Sequence, residues 1–135
     1  MENNVQIVQD CYNKFGAGDV AGILANCAED VAWETPEIEN ADFGGKRRGH
    51  AEVGEFFSGM DAAEETTKFE PTEFIAQGDR VVVLGKYGAT ARATGRSYET
   101  DWVHVFTVRD GKITSFNEFF DNALASRAFQ KVTTA

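Results

Sequence analysis

The sequence predicts an α+β fold: a single domain over residues 1–135 in which helices gather on one face of a curved antiparallel sheet. Two observations support this. Apolar residues recur at helical spacing in the first part of the chain, and they alternate with a period of two in most of the second part. The Asp110-Gly111 pair separates two alternating runs, which is the strongest short-range indication of a β-hairpin. A chain of 135 residues is also long enough to bury one hydrophobic core.

The N-terminal region is expected to form a helical hairpin. Apolar residues recur every three or four positions from Asn4 to Phe15, and Gly16 and Gly18 then end the helix. Asp19 is a suitable N-cap for a second short helix. Its apolar stripe comprises Val20, Ile23, Leu24 and Cys27.

Residues 30–36 read as a short strand that ends at Pro36 and places Val31, Trp33 and Thr35 on one face. Residues 37–49 lack a clean period, so we predict a loop that acts as a lid and brings Phe43 to a cavity. The basic run at residues 46–48 within it is expected to be solvated.

Helical spacing returns over residues 51–60, and the acidic residues 61–66 are predicted to be a surface connection. Two strands over residues 67–77 and 80–93 follow, and Pro71 places the first at a sheet edge or a bulge. A final helix is expected after Asp121, and the terminal KVTTA is expected to fray.

The predicted strand from Ser97 carries the most informative pattern. Its two-residue period places one histidine in the middle of an aromatic face, which comprises Tyr98, Thr100, Trp102, His104, Phe106 and Val108. An aromatic sheet lining with a few polar groups is typical of a small-molecule pocket. On the next strand, Asn117, Phe119 and Asp121 share a face opposite to that of Glu118, and the register that decides which face meets His104 is not fixed by sequence.

Composition and charge exclude several function classes. The net charge of −9 opposes binding to nucleic acid or to an anionic membrane surface. The N-terminus lacks the pattern of a signal peptide, and no apolar run is long enough to span a bilayer, so we expect a cytoplasmic protein. Cys11 and Cys27 are expected to be small buried hydrophobes. No metal-ligand spacing, phosphate loop or nicotinamide motif is present, so we expect no metal and no cofactor.

Three stretches, FGAGDVAGILANCAEDVAWETP, RRGHAEVGEFF and HVFTVRDGKITSFNEFFD, resemble the α+β fold of nuclear transport factor 2, ketosteroid isomerase and the SnoaL-like polyketide cyclases. The resemblance spans nearly the whole chain. It implies a cone-shaped sheet, a deep pocket under the N-terminal helices and a homodimer formed through the sheet. These patterns specify a fold more closely than a reaction.

Carried over residue by residue, the resemblance to the SnoaL-like cyclases implies that Asp121 is the acid/base and that His104 assists it. The isomerase branch has an aspartate just before the proline of the first strand, where this chain has Thr35, and a helix tyrosine where this chain has Cys11, with Tyr12 one position away. The steroid isomerase reaction is therefore not expected.

The resulting expectation is a cofactor-free enzyme that cyclises or isomerises a small hydrophobic carbonyl compound by proton transfer. Two simpler roles remain open: Asp121 as a helix N-cap and His104 as a satisfied core residue. A non-catalytic binding module and a dimerising scaffold are the alternative functions, and a pocket below about 300 Å³ would favour the scaffold. The predicted substrate-binding residues are Tyr12, Trp33, Phe43, Trp102, Phe106, Asn117 and Phe119.

Overall fold

The computed structural model describes residues 3–131. In chain order, the helices and strands are α1 (Asn4–Gly16), α2 (Val20–Ala25), β1 (Cys27–Thr35), β2 (Gly45–Arg48), α3 (Gly49–Ala63), β3 (Glu64–Gln77), β4 (Arg80–Ala91), β5 (Ser97–Arg109), β6 (Lys112–Phe120) and α4 (Asn122–Phe129). The predicted α+β architecture with a curved, unclosed sheet is confirmed. Within the described residues, no helix combines the length and the apolar character needed to cross a membrane.

The sheet has six strands in the order β2-β1-β6-β5-β4-β3. All neighbouring strands are antiparallel except β1 and β6, which run parallel. The expectation of a purely antiparallel sheet is corrected at this pair. After β2 the chain crosses through α3 to the far edge and returns strand by strand, so β6 arrives beside β1 in the same direction.

The two predicted N-terminal helices form, but α2 ends at Ala25, so Cys27 begins β1 and is not part of the helical stripe. The side chain of Asn3 accepts a hydrogen bond from the Val5 amide at the start of α1. Asp19 caps α2 by accepting from the Gly22 amide at 2.9 Å. Gly18 joins the helices with a φ of 72°, a left-handed conformation that glycine adopts without strain.

The segment predicted to be a loop, residues 37–49, contains the short edge strand β2, which pairs with β1. Charged side chains at both Lys46 and Arg48 keep this edge exposed and unsuited to further pairing. Arg47 departs from the predicted solvated cluster, because its guanidinium donates from Nη2 to the Phe43 carbonyl at 3.2 Å. The remaining loop is tied to α4, where the Ser126 hydroxyl accepts from the Glu39 amide at 2.9 Å.

The predicted hairpin at Asp110-Gly111 is confirmed. Both turn residues have positive φ, 51° and 75°, as a tight two-residue hairpin turn requires. The register places His104 opposite Glu118. Because side chains alternate along a strand, Glu118 therefore shares the concave face with His104, and Asn117 lies on the convex face.

The acidic connection predicted for residues 61–66 does not form. α3 continues to Ala63 and β3 begins at once, with Glu64 paired to Ala91 of β4 and only 2% exposed. Pro71 lies on edge strand β3 next to a register shift, as its missing amide proton led us to expect. The predicted fraying of KVTTA falls outside the described residues, except for Lys131.

Candidate active site

A largely apolar chamber lies between the concave face of the sheet and helices α1, α2 and α3. Its volume is about 80 Å³. Most of its ionisable side chains belong to two hydrogen-bonded groups. The lining residues are mostly aromatic and include Tyr12, Phe15, Trp33, Phe43, Phe57, Phe69, Trp102, Phe106, Phe116 and Phe120.

The first polar group is a chain of three side chains from three elements. The Tyr12 hydroxyl, on α1, lies 2.9 Å from Nδ1 of His104 on β5. Nε2 of the same ring lies 2.7 Å from Oε2 of Glu118 on β6. His104 is 5% exposed, and Glu118 is partly buried. Direct cross-strand pairing of His104 with Glu118 brings the carboxylate to the ring.

Hydrogen-bonding capacity sets the direction of this chain. An ionised Glu118 carboxylate only accepts, so Nε2 of His104 carries a proton and donates it. In the neutral ring, Nδ1 is then unprotonated, and its lone pair accepts a hydrogen bond from the Tyr12 hydroxyl. Burial raises the pKa of Tyr12 well above its usual value, so the phenol remains protonated and able to donate.

Aromatic rings fix the orientation of His104. Trp102 stacks on the imidazole with centroids 3.9 Å apart, and Phe116 meets it edge-on at 4.7 Å. The Trp102 ring itself lies over Gly85, its cross-strand partner on β4. A Cβ atom at Gly85 would overlap this indole and lie 2.6 Å from the Glu70 carbonyl oxygen. Glycine at this position therefore lets the tryptophan lie flat beneath the histidine.

The second polar group surrounds the buried carboxyl of Glu64. The Tyr98 hydroxyl donates to its Oε1 at 2.7 Å, and the Tyr87 hydroxyl donates to its Oε2. Thr66 is in turn hydrogen-bonded to the Tyr87 hydroxyl at 3.0 Å. Desolvation raises the pKa of Glu64, against the opposing effect of the two tyrosine hydrogen bonds.

A wider groove of about 840 Å³ adjoins the chamber along α1, α3 and β3. The groove and the chamber share several half-buried side chains, notably Phe15, Met60 and Phe69. These side chains form the wall between the two spaces.

Most of the predicted lining residues reach the chamber. His104 lies in it, together with the five predicted binding residues Tyr12, Trp33, Phe43, Trp102 and Phe106. Asn117 and Phe119 do not line it. The observed register turns both toward the convex face of the sheet, where Phe119 is 52% exposed.

Asp121 is not in the chamber either. It follows the last residue of β6, its side chain is exposed, and it caps α4 by accepting from the Leu124 amide at 3.1 Å. The structure thus realises the capping alternative, and the expected pair of Asp121 with His104 is not formed. Glu118 occupies the role of partner carboxylate, because the register of β5 and β6 pairs residue 104 with residue 118.

Sequence reasoning missed Glu118, Glu64 and Tyr87. Glu118 shares a strand face with Phe116 and Phe120, so knowledge of the β5–β6 register would have placed it beside His104. Glu64 lies within the acidic run DAAEET, and nothing in that run distinguishes it from its exposed neighbour Glu65.

Two further features bear on the chemistry of the site. The indole N–H groups of Trp33 and Trp102 are buried and have no hydrogen-bond partner among the described residues. Cys11 and Cys27 are buried free thiols, as predicted, and burial raises their pKa values to about 12 and about 11. Neither thiol is therefore suited to act as a nucleophile near neutral pH.

The chain belongs to the SnoaL-like domain family, whose model matches residues 8–116. The match includes most of α1, the first strand and most of the β5–β6 hairpin. The predicted resemblance is thus confirmed. A comparison with proteins of curated function finds no match.

Solved structures agree with this assignment. An NTF2-like protein from Burkholderia xenovorans LB400 is 39% identical, with 94% of this chain and 95% of that chain covered and a TM-score of 0.85. TerC, co-crystallised with polyporic acid, is 34% identical over 93% of this chain and 97% of its own, with a TM-score of 0.85. A candidate polyketide cyclase from Xanthomonas campestris shares the fold at 24% identity and a TM-score of 0.75, over 94% of this chain and 96% of its own.

Proposed function

We propose that the protein is an enzyme that transfers protons on a small hydrophobic carbonyl compound, with His104 as the acid/base group. The observation that carries this proposal is the Tyr12–His104–Glu118 chain inside an aromatic chamber. A buried imidazole held by a carboxylate is a common arrangement for general acid/base work. Removal of a proton from the carbon beside the carbonyl would give an enolate, and cyclisation or isomerisation of the substrate would follow from this enolate.

The three side chains have distinct roles in this mechanism. The Tyr12 hydroxyl turns from His104 to the carbonyl oxygen of the substrate and donates to it. Nδ1 of His104 then takes the proton from the carbon beside that carbonyl, and the electron pair of the C–H bond moves to the oxygen as an enolate. Glu118 stabilises the resulting imidazolium through Nε2. Return of the proton at another position completes an isomerisation. Attack of the enolate on a second carbonyl instead closes a ring, and the alkoxide so formed takes the proton back from Nδ1 of His104.

The aromatic lining favours a flat, unsaturated substrate. TerC was co-crystallised with polyporic acid, an aromatic hydroxyquinone, and it is 34% identical to this chain. A ligand of that kind offers carbonyl oxygens to Tyr12 and apolar rings to Trp33 and Phe43. Polyporic acid is therefore a suitable first ligand for binding measurements.

One observation favours a second candidate function, a scaffold whose chamber is filled by its own side chains. The chamber volume of about 80 Å³ is below the range of about 300–1,000 Å³ typical of small-molecule sites. The enzymatic proposal thus requires the chamber to widen, for which the half-buried side chains Phe15, Met60 and Phe69 that it shares with the groove are suitably placed. The scaffold requires no opening, and it predicts that no aromatic ligand reaches Trp33 or Trp102.

Deuterium exchange tests the enzymatic proposal. In D₂O, NMR would follow deuterium uptake beside the carbonyl of a panel of aromatic ketones that includes 2-tetralone. We expect wild-type protein to accelerate uptake, and we expect Glu118→Gln and Tyr12→Phe each to reduce the acceleration by about 10²-fold. Glu99→Gln, an exposed carboxylate on the same sheet, is the matched control and should leave the rate unchanged. Equal rates for wild type and Glu118→Gln would contradict the mechanism.

A further inference from the structure

The proposed mechanism leaves the Glu64 group without a role. Glu64 is 2% exposed, and together with Tyr87 and Tyr98 it lines the same chamber as His104. Burying a carboxyl costs free energy, and hydrogen bonds offset this cost. Even then, an apolar side chain of similar volume often gives an equally stable or more stable fold. A purely apolar side chain at position 64 would fill this space at lower cost.

The two polar groups lie at different ends of the aromatic lining. Tyr98 and His104 extend from the same face of β5, six residues apart. The two polar groups are close enough that, besides desolvation by burial, the charge of Glu118 contributes to the raised pKa values of Glu64 and Tyr98. Trp102 lies between them and stacks on Phe69 with centroids 5.3 Å apart. The chamber wall is thus polar, then aromatic, then polar along one strand.

The Glu64 carboxyl retains hydrogen-bonding capacity after both tyrosines are counted. Each carboxyl oxygen accepts one hydroxyl, and each has a second lone pair. An ionised Glu64 accepts from a ligand hydroxyl, and a protonated Glu64 donates to a ligand carbonyl. For the carbonyl compounds of the proposed function, the matching ligand group in either state is an oxygen function.

We propose that Glu64, Tyr87 and Tyr98 form a second polar subsite that binds an oxygen function of the substrate at the end remote from His104. The substrate class is then an elongated aromatic compound that carries an oxygen function at each end. This inference rests on the proposed function, because it assumes that the chamber admits a ligand. The competing role is structural, in which the group only joins the start of β3 to β4 and β5.

A matched pair of probes separates the two roles. 4,4′-Dihydroxybiphenyl has a hydroxyl at each end, and 4-phenylphenol has the same rings with one hydroxyl. Binding would be followed by the fluorescence of the chain's two tryptophans, both of which line the chamber. We expect wild-type protein to bind the two-ended probe about tenfold more tightly. Tyr98→Phe and Glu64→Gln should each bring that ratio close to one.

The affinity ratio is insensitive to a general loss of stability, because both probes depend equally on the fold. A structural role predicts that Tyr98→Phe lowers the melting temperature and leaves the ratio unchanged, which would overturn the proposal. Glu65→Gln, which removes the exposed neighbouring carboxylate, is the control and should keep the wild-type ratio.

Failure of the inference is distinguishable from failure of the proposed function. If wild-type protein binds both probes equally, the second subsite is absent, and the Tyr12–His104–Glu118 mechanism is unaffected. If neither probe binds, the chamber does not open, and both proposals are wrong.

Discussion

At the scale of single residues, protonation decides what the chamber can do. Tyr12 is held protonated by burial, and Glu64 is shifted toward its protonated form by the same cause. His104 contacts a carboxylate on one side and a phenol on the other. The chamber therefore combines hydrogen-bond donors with one imidazole base in apolar surroundings, as enolate chemistry requires.

Glu64 should give the folding stability a characteristic pH dependence. Burial raises its pKa above 4.5, the value of an ordinary glutamate. As pH rises, the unfolded chain therefore loses this proton before the folded protein does. Between the two pKa values the folded state binds more protons, so the free energy of unfolding falls with rising pH, by at most about 1.4 kcal/mol per pH unit.

Urea unfolding of wild type and Glu64→Gln at a series of pH values measures this effect. Glutamine does not titrate, so the stability difference, wild type minus variant, should fall as pH rises above 4.5. The difference is informative because Asp10 and Asp79, whose pKa values are lowered by Lys14 and Arg109, contribute with the opposite sign in both proteins. A difference that is constant with pH would mean that Glu64 is not desolvated.

The face of the sheet on which each strand residue lies was predictable from the sequence, but its partner on the neighbouring strand was not. The two-residue period placed Tyr98, Trp102 and His104 on one face, and the structure agrees. The same period left two registers open for β6, and the predicted site residues Asn117, Phe119 and Asp121 belong to the register that does not occur. Glu118 became visible only when the hydrogen bonds of the β5–β6 ladder were known.

At the scale of elements, short-range rules worked where the stabilising contacts are local. The Asp19 cap and the Asp110-Gly111 turn depend on a few neighbouring residues, and both are present. β2 was missed because its four residues carry no periodic pattern and are held by pairing with β1 across an irregular connection. The early start of β3 depends similarly on pairing with β4.

Asp121 provides a prediction at this scale. Asp121→Ala removes the hydrogen bond to the Leu124 amide and should lower the free energy of unfolding by about 1 kcal/mol, as measured by urea denaturation. Asp121→Asn keeps a capping side chain and should cost only a few tenths of that amount. Because Asp121 lies outside the chamber, both variants should keep the wild-type rate of deuterium exchange. A stable Asn variant without exchange activity would restore Asp121 as the acid/base group.

At the scale of the whole molecule, the two faces of the sheet have different roles. The concave face holds the chamber, and the convex face presents apolar side chains to solvent, including Phe119 at 52% and Ile75 at 48% exposure. The pairing register places these residues in one patch that spans four strands, with Val82, Leu84, Val103 and Val105. Contiguous apolar patches of this kind are typical of protein interfaces.

We propose that this convex patch forms a homodimer interface, as the family resemblance led us to expect. Light scattering should give the mass of a dimer for wild type, and Phe119→Asp should shift the protein toward monomer, because it buries an unpaired charge in the interface. Glu99→Gln, at an exposed position of β5 on the same face, should leave the mass unchanged. A monomeric wild type at micromolar concentration would contradict the proposal.

The central claim is the directed hydrogen-bond chain from Tyr12 through His104 to Glu118, and NMR of the imidazole nitrogens tests it most directly. The chain contains two histidines, so His50→Asn assigns the signals of His104 without ambiguity. We predict that Nε2 of His104 carries a proton throughout the pH range in which the protein is folded and Glu118 is ionised, and that Glu118→Gln shifts its resonance. A His104 ring protonated on Nδ1 alone would contradict the account, because Nε2 would then have no proton to donate to Glu118.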